Sequence, residues 1–393
     1  MRILIVSRAL PHHHIGGMES VAWDLARAFA ARGDQVRVLT TAHPSLPAEG
    51  EVEGIAVLTV PAAPGRYSPA WWRGSRERFA ALAAAGEVDA VLGVSAAANA
   101  IAAARPPGWR GAMLFQAHGT SSGEIVSKLR TRSLKGVVGC YRNLYWGLFK
   151  DWIYRRYDAV VSVGEAVHRQ MAKPPTAILL GATPERLIPN GVDEGAFAFD
   201  AVAGAGTRAR YGLDGQARVL LSLSRLHAQK GVGDAIAAFA LAASQAPDLR
   251  LLVAGDGPHA EALKAQAAET GLGDRIVFTG AVTRSEVPAL LSAADAFVFP
   301  TRRVEGAPIN VLEALAAGLP LITTPNGAAA DLPAVRVPVG DAGALAAAML
   351  ETAPSPQPRA GRLPEGYSIR RTADCYAELF QDLISKRVEV DLR

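Results

Sequence analysis

The chain has 393 residues, half of them hydrophobic and 20% charged, with a formal net charge of +4; this excludes an extended disordered chain and suits two domains that each bury a core without disulfides. Its two cysteines, Cys140 and Cys375, have neither CxxC nor zinc spacing and are read as free thiols in a reducing compartment. The modest charge and the lack of a recognition module argue against nucleic acid, but residues 1–195 hold 22 Lys/Arg against 16 Asp/Glu and the remainder 19 against 21, so the first half is the one expected to meet an anionic surface or substrate.

In chain order, Arg2–Val6 is a strand that begins immediately after Met1, so no leader segment is expected. Gly17–Arg32 has helical periodicity and stops at Gly33. Strands follow at Gln35–Thr40, Ile55–Val60, Ala90–Val94, Met113–Gln116 and Ala159–Val163, with a long amphipathic helix at Leu134–Tyr157 before the last. The uncharged stretch Ala90–Ala104 is too short and too polar for a spanning helix, which points to a cytoplasmic protein. Ile188 to Asp193, with Pro-Asn-Gly inside it, is a turn, and Glu194 to Gly206 reads as loop. The rhythm then restarts, with strands at Val219–Ser222, Leu249–Ala254, Ile276–Thr279, Ala296–Phe299 and Leu321–Thr324 and helices at about 232–245, 257–270, 284–293 and 308–317. Ala353–Pro358 reads as a surface connection and Ile369–Lys386 as a helix that returns to the first domain.

Strands that alternate with helices mean parallel α/β sheets covered on both faces. The domains expected are residues 1–190, joined by a C-terminal helix at about 370–393, and residues 191–369. Two such units in tandem suggest a cleft beyond the carboxyl ends of their strands, where doubly wound sheets hold ligands.

The motifs fall at those strand ends. Gly16-Gly17-Met18-Glu19 precedes a helix, where glycine lets the backbone approach a ligand and the first N–H groups are unpaired; alone it is equally a tight turn, and it lacks the full GxGxxG pattern. Gln116-Ala117-His118-Gly119-Thr120 puts a histidine just past a strand, able to line a sugar site or to sit in an ordinary surface loop. The adjacent His12, His13 and His14 do not easily converge on one ion and have no neighbouring carboxylate, so no metal is expected there. Ser222 to Gly231 places Arg225 and Lys230 on a loop that leads into a helix, two cations that either grip a diphosphate or are simply solvated. Gly255-Asp256-Gly257-Pro258 reads as a structural turn with Pro258 opening a helix.

The most informative run is Glu305-Gly306-Ala307-Pro308-Ile309-Asn310-Val311-Leu312-Glu313-Ala314. Pro308 starts a helix whose N–H groups near Ala307 to Val311 can face a phosphate or sugar hydroxyls. Eight helical positions turn about 800°, some 80° past two full turns, so Glu305 from the loop and Glu313 from the helix can reach one ligand. The apolar flanks Val311-Leu312 and Ala314-Leu315 suggest that Glu313 is a semi-buried acid in need of a partner such as ribose hydroxyls.

In order and spacing these residues resemble the retaining GT-B glycosyltransferases of family 4, over nearly the whole chain: the early GGxE, the HG after a strand, the N-G-V-D turn, S-R-L-x-x-x-K-G, G-D-G-P, and E-x7-E followed by A-x-G-x-P. The resemblance implies two Rossmann-like parallel-sheet domains facing each other across a cleft, the second binding a UDP- or GDP-linked sugar and the first serving the acceptor. It implies that Arg225 and Lys230 bind the donor diphosphate, that Glu313 holds the ribose, and that Glu305 holds hydroxyls of the transferred sugar beside the backbone N–H groups of Gly306, Ala307 and Ile309 around Pro308. His118 would lie near the donor sugar, Gly16 and Gly17 would let the first domain close over the phosphates, and the base would stack near Ala281 and Val282. The implied reaction is a front-face substitution with retention, needing neither metal nor cofactor, in which the leaving phosphate takes the acceptor's proton.

Departures from the pattern concern local geometry and donor choice. Thr301-Arg302-Arg303-Val304 is one residue longer than usual, and Arg302 and Arg303 can alter sugar contacts; Asn326-Gly327 stands where two glycines are common; Asp331–Gly340 is short; and Ile369 stands where Trp is frequent. The stretch Ser127–Lys150 interleaves Lys128, Arg130, Arg132, Lys135, Arg142 and Lys150 with Tyr141, Tyr145, Trp146 and Phe149, which fits either an anionic membrane face and a lipid-linked acceptor or a core helix with a solvated basic side. Lipid-linked saccharide, polysaccharide and small-molecule hydroxyl acceptors stay open, as do a GT-B epimerase or hydrolase and a non-catalytic nucleotide-sugar binder.

Overall fold

The computed structural model describes residues 1–13, 16–62, 64–121, 125, 151–213, 216–351 and 359–391. His14, Cys140, the basic aromatic stretch Ser127–Lys150 and the connection Ala353–Pro358 lie outside the described residues. The chain divides into two compact units, Met1–Gly191 with Ile369–Arg393, and Val192–Ser368.

The first unit is built on eight strands, β1 (Arg2–Val6), β2 (Gln35–Thr41), β3 (Glu49–Val52), β4 (Ile55–Val60), β5 (Ala90–Val94), β6 (Ala112–Ala117), β7 (Ala159–Ser162) and β8 (Glu185–Leu187). Their order is β3-β4-β2-β1-β5-β6-β7-β8. The central strands read as unbroken small and apolar runs, ILIV in β1 and AVLGV in β5, because both their faces are covered. The edge strand β3, Glu-Gly-Glu-Val, pairs antiparallel with β4, a departure from the expected all-parallel sheet. Glu53 and Gly54 join the two, both at positive φ (50° and 77°), the geometry of a two-residue hairpin whose twist suits the strands.

Helix Gly17–Ala31 buries Val21, Ala22, Leu25, Ala26 and Phe29, a stripe at helical spacing, against the sheet. The chain then turns at Gly33, whose φ of 89° suits a residue without Cβ. The C-terminal helix Ile369–Asp391 lies in this unit. It buries Ala373, Tyr376, Ala377 and Phe380, and Tyr376 meets Phe29 edge to face with centroids 6.5 Å apart. The described end of the expected helix Leu134–Tyr157 is a 3-10 segment, Asp151–Arg156.

The second unit has six parallel strands, β9 (Arg218–Leu223), β10 (Leu249–Ala254), β11 (Ile276–Gly280), β12 (Ala296–Phe299), β13 (Leu321–Thr323) and β14 (Val335–Arg336), in the order β11-β10-β9-β12-β13-β14. This is the Rossmann order, and it reverses beside β9, between β9 and β12, so ligand chemistry is expected beyond the carboxyl ends of those two strands. Phe239, Leu251, Val253, Val298 and Met349 belong to the core on one face of this sheet.

Two local readings are corrected. The stretch read as loop from Glu194 to Gly206 contains the start of helix Ala201–Arg210, capped by Asp200, whose Oδ1 accepts from the N–H groups of Val202 and Ala203 at 2.9 and 3.0 Å. Gly204 and Gly206 hide the helix in the sequence, and Gly204 is needed for close packing: a Cβ there would lie 2.7 Å from the Ser292 carbonyl oxygen. Pro258 does not open a helix; it sits in the turn before Ala260–Glu269. No helix among the described residues is long and apolar enough to cross a membrane.

Candidate functional site

In the second unit the loop after β9 is pinned before it reaches its cations. The Leu226 side chain is buried and its N–H donates to the Asp256 carbonyl at 2.9 Å. Gly231, at φ 73°, caps helix Val232–Ala243, and a Cβ there would lie 1.9 Å from the Pro300 carbonyl oxygen. Only glycine lets the two strand ends approach this closely. Lys230 is thereby placed over the end of β12. Its Nζ donates to Glu305 Oε1 at 2.8 Å and lies 5.4 Å from the centre of the Phe299 ring. The Thr301 hydroxyl lies 3.2 Å from the same Glu305 oxygen and 3.0 Å from the Gln229 carbonyl.

Arg225 is exposed, and its guanidinium makes no hydrogen bond or ion pair among the described residues. It nevertheless belongs to a positive field. The pKa of His227 is lowered, first by desolvation and then by His259, Arg225, Lys230 and Arg303. A group of basic side chains that suppresses the charge of a histidine among them is one that an anion would relieve. Arg302 is turned outward and pairs bidentately with Asp234 at 2.6 and 2.8 Å, a surface ion pair.

The loop that carries Glu305 is held by its own backbone: Glu305 N–H donates to the Asn326 carbonyl at 2.9 Å and Asn326 Nδ2 to the Arg302 carbonyl at 3.1 Å. Helix Ile309–Ala316 follows with Pro308 as its cap. Val311 N–H donates to the Pro308 carbonyl at 3.1 Å, which corrects the expectation that it is unpaired. The N–H groups of Ile309 and Asn310 occupy the first turn, where a helix provides no acceptor. Asn310 Nδ2 bonds the Leu223 carbonyl at 2.7 Å and so ties this helix to the end of β9. Glu313 is buried as expected, but its partner is Arg284, Nη1 to Oε1 at 3.0 Å. Arg284 follows Ala281, which is exposed, and Val282, which is half-buried.

In the first unit Gly16 is the extended N-cap of helix Gly17–Ala31, and a Cβ on it would lie 2.3 Å from Glu19 Oε2. The glycine leaves room for the buried Glu19 carboxylate to fold over the start of the helix, 4.0 Å from Arg8 Nη2. Gly17 itself is exposed. His118 follows β6; its Nε2 lies 2.9 Å from Gln116 Oε1, and Gln116 Nε2 donates to the Tyr376 hydroxyl at 2.9 Å. The ring is half-buried by accessible area, yet protein packs densely around it, and desolvation pushes its pKa down to about 4. His12 stacks edge-on against Trp23, and His13 is engaged by Leu10 N–H and the Thr41 carbonyl.

A surface hollow of about 710 Å³ between Arg105–Arg110 and Leu383–Arg387 lies elsewhere, at the amino ends of β6 and β7. Arg105 and Arg387 both spend their donors on Asp158 and the Gly111 carbonyl, so this is where the C-terminal helix is latched to the sheet.

The family described as Glycosyltransferase Family 4 matches residues 15–195, and the family described as Glycosyl transferases group 1 matches residues 206–349. A GDP-mannose-dependent alpha-(1-6)-phosphatidylinositol monomannoside mannosyltransferase of Mycolicibacterium smegmatis is 38% identical over 148 residues, 36% of this chain and 38% of that protein. An alpha-monoglucosyldiacylglycerol synthase of Streptococcus pneumoniae is 33% identical over 36% of this chain and 33% of its own. The match thus spans well under half the length of these relatives. Among solved structures, sucrose-phosphate synthase from Thermosynechococcus elongatus superposes with a TM-score of 0.74 at 21% identity over 98% of this chain and 99% of its own. Anabaena HepE in complex with UDP-glucose gives 0.63 at 20% over 99% and 98%. Likeness at that identity speaks for the GT-B fold.

Proposed function

The chain belongs to the GT-B glycosyltransferases of family 4, and from that premise we propose that it moves a hexose-type sugar from a UDP- or GDP-linked donor to a hydroxyl acceptor, with retention and without a metal. The observation that carries the proposal is the positive field of Arg225, Lys230 and Arg303 around His227, with Lys230 on Glu305, beyond the carboxyl ends of β9 and β12. A diphosphate is the anion such a field suits, and Lys230 would support the charge that grows on it as the glycosidic bond breaks. Glu313 and Glu305 accept from hydroxyls, of the ribose and of the transferred sugar respectively. The N–H groups of Ile309 and Asn310 add partial positive charge from the helix start. His118 keeps the role at the donor sugar that the resemblance implies.

The acceptor we favour is a lipid-linked or membrane-bound saccharide, because the relatives in Mycolicibacterium smegmatis and Streptococcus pneumoniae are named for glycolipid products or acceptors. Contact with an anionic membrane through Ser127–Lys150 belongs to the same proposal. The test is a thermal-shift screen across UDP-, GDP- and ADP-sugars, since a donor that binds the folded state raises its melting point. The stabilising donor is then incubated with and without acceptors, with EDTA present, and the product anomer is read by proton NMR. Transfer with retention that survives EDTA is expected. Consumption of donor without any acceptor would point to the hydrolase or epimerase, and no stabilisation by any nucleotide sugar would remove the proposal.

A further inference from the structure

In the first unit three loops meet over the carboxyl ends of the adjacent strands β1, β2 and β4, and an imidazole and a hydroxyl tie them together. The Leu10 N–H donates to His13 Nδ1 at 3.1 Å, and His13 Nε2 lies 2.9 Å from the Thr41 carbonyl oxygen. Thr41 is buried at the end of β2; its hydroxyl donates to the Arg8 carbonyl at 2.7 Å and accepts from the Gly65 N–H at 2.8 Å. Arg8 Nη1 in turn donates to the Gly65 carbonyl at 2.9 Å. A backbone N–H can only donate and a backbone carbonyl can only accept. Nδ1 is therefore bare and Nε2 carries the proton, so main-chain groups on both sides fix His13 as a neutral imidazole in one tautomer. A second proton would go to Nδ1 and set a donor against the Leu10 N–H. The other titratable and charged side chains described on these loops are Arg8, His12, His43, Arg66 and Tyr67. His43 brings its ring to 5.0 Å from that of His13, with its own Nδ1 accepting from the Ser45 N–H at 3.3 Å. Arg8 lies over Tyr67 and 4.0 Å from Glu19 of the following helix, His12 packs on Trp23, and Arg66 is exposed.

We propose that His13 is a positioning residue that holds the loop after β1 against the ends of β2 and β4 only while its ring is uncharged, so that acid loosens the ligand-binding end of the first sheet. The closed loop refuses a proton that the opened loop accepts at the ordinary imidazole value of about 6.5. The lock is therefore fully present above about pH 6.5 and weakens by up to about tenfold for each pH unit below it. The carboxyl ends of parallel strands are where such a sheet takes its ligand. That this ligand is the acceptor of the transferred sugar rests on the transferase reading above; the lock does not.

The test follows amide hydrogen exchange by NMR on the ¹⁵N-labelled full chain at about pH 7.5 and 5.5, corrected for the intrinsic pH dependence of exchange. Two-bond proton–nitrogen correlations give the His13 tautomer, assigned by its loss in His13→Gln. The expected wild type is the Nε2–H tautomer at the higher pH, with protection of the Leu10 and Gly65 amides falling about tenfold at the lower one. The Ile5 and Leu39 amides, within the strands, are expected to keep theirs. His13→Gln still offers a donor to the Thr41 carbonyl and has nothing to titrate, so it is expected to protect Leu10 less but equally at both pH values. His43→Gln is expected to retain the wild-type step, which assigns it to His13. With donor and acceptor identified, the acceptor KM at saturating donor is expected to rise about tenfold more over that range in wild type than in His13→Gln. A wild-type Nδ1–H tautomer, level Leu10 protection in wild type, or an equal step in His13→Gln overturns the proposal. Leu10 exchange in wild type carries the test if His13→Gln does not fold. Failure to bind any sugar nucleotide would sink the transferase reading alone and leave the exchange data to decide the role of His13.

Discussion

Lys230→Met removes a cation from the strand ends while keeping the bulk of its stem beside Phe299. A charge-assisted hydrogen bond contributes about 1.5–3 kcal/mol, and at about 1.4 kcal/mol per tenfold its loss from the reacting state costs roughly 10- to 140-fold in kcat. The upper part of that range is expected, because Lys230 already has a carboxylate partner, Glu305 Oε1 at 2.8 Å. Bound donor takes over a bond that exists, whereas the departing diphosphate, with more charge, strengthens it. The variant also leaves the Glu305 carboxylate, 12% exposed, with the Thr301 hydroxyl as its remaining partner among the described residues. That costs about 1–3 kcal/mol, and in a domain of this size roughly 2–4 °C of melting temperature per kcal/mol. The assay is release of nucleoside diphosphate at saturating donor and acceptor, beside a melting curve. Lys230→Arg keeps the charge in a different shape and is expected to fall between the two. A Lys230→Met enzyme with wild-type kcat would refute the placement of the leaving group at this residue, and a loss confined to donor KM would show that the lysine acts on the ground state alone.

Glu313→Ala leaves Arg284 without its carboxylate and is expected to raise donor KM about tenfold or more with kcat within a few-fold, as a lost ribose contact should, and to lower stability by about 2–3 kcal/mol; steady-state kinetics and urea unfolding check both. Gly231→Ala combines a positive φ of 73° with a Cβ placed 1.9 Å from a backbone oxygen, so it is expected to cost at least about 2 kcal/mol and to slow transfer by displacing Lys230. Gly271→Ala, also at positive φ (70°) but with open space around it, serves as control: about 1 kcal/mol and unchanged kinetics. The His118 pKa is lowered in the fold from 6.5 to about 4, so between those values the unfolded chain binds a proton that the folded chain refuses. Its contribution is therefore fully present above pH 6.5 and is lost as pH falls towards 4, and unfolding free energies measured from pH 4.5 to 7 are expected to rise less steeply in His118→Asn.

The strands were legible where both faces are covered, because burial on two sides demands unbroken apolar runs such as ILIV and LLVA, and their ends came out to within a residue or two. The edges were not. Glu-Gly-Glu-Val in β3 and the two-residue β14 have half their surroundings in water and carry no such demand, and the signal that was available for β3 was the Glu53-Gly54 turn. Helix Ala201–Arg210 was lost to its two glycines, one of which is a packing requirement set by Ser292, almost ninety positions away. The site residues were legible as types and spacings, since glycines, cations and acids at strand ends are local features. Their partners were not. Lys230 with Glu305, Arg284 with Glu313 and Tyr376 with Gln116 are separated by 75, 29 and 260 positions, and only the folded sheets bring them within 3 Å.

Those partners change what donor binding has to be. Both acids assigned to the donor already hold a cation, Glu305 through Lys230 and Glu313 through Arg284. A sugar nucleotide bound as proposed therefore exchanges interactions: the diphosphate would compete with Glu305 for Lys230, and the ribose hydroxyls would share Glu313 with Arg284. An exchange of one charge-assisted bond for another contributes little to net affinity, because each partner is desolvated in both states. Its value lies in orientation, since acids held by cations are aimed before the donor arrives. It follows that Arg284→Met should harm donor binding although nothing assigns Arg284 a contact with the donor, and that Arg284→Lys, with charge but a different reach, should recover only part of the loss. Equal donor KM in wild type and Arg284→Met would mean that burial alone, without the ion pair, is enough to aim Glu313.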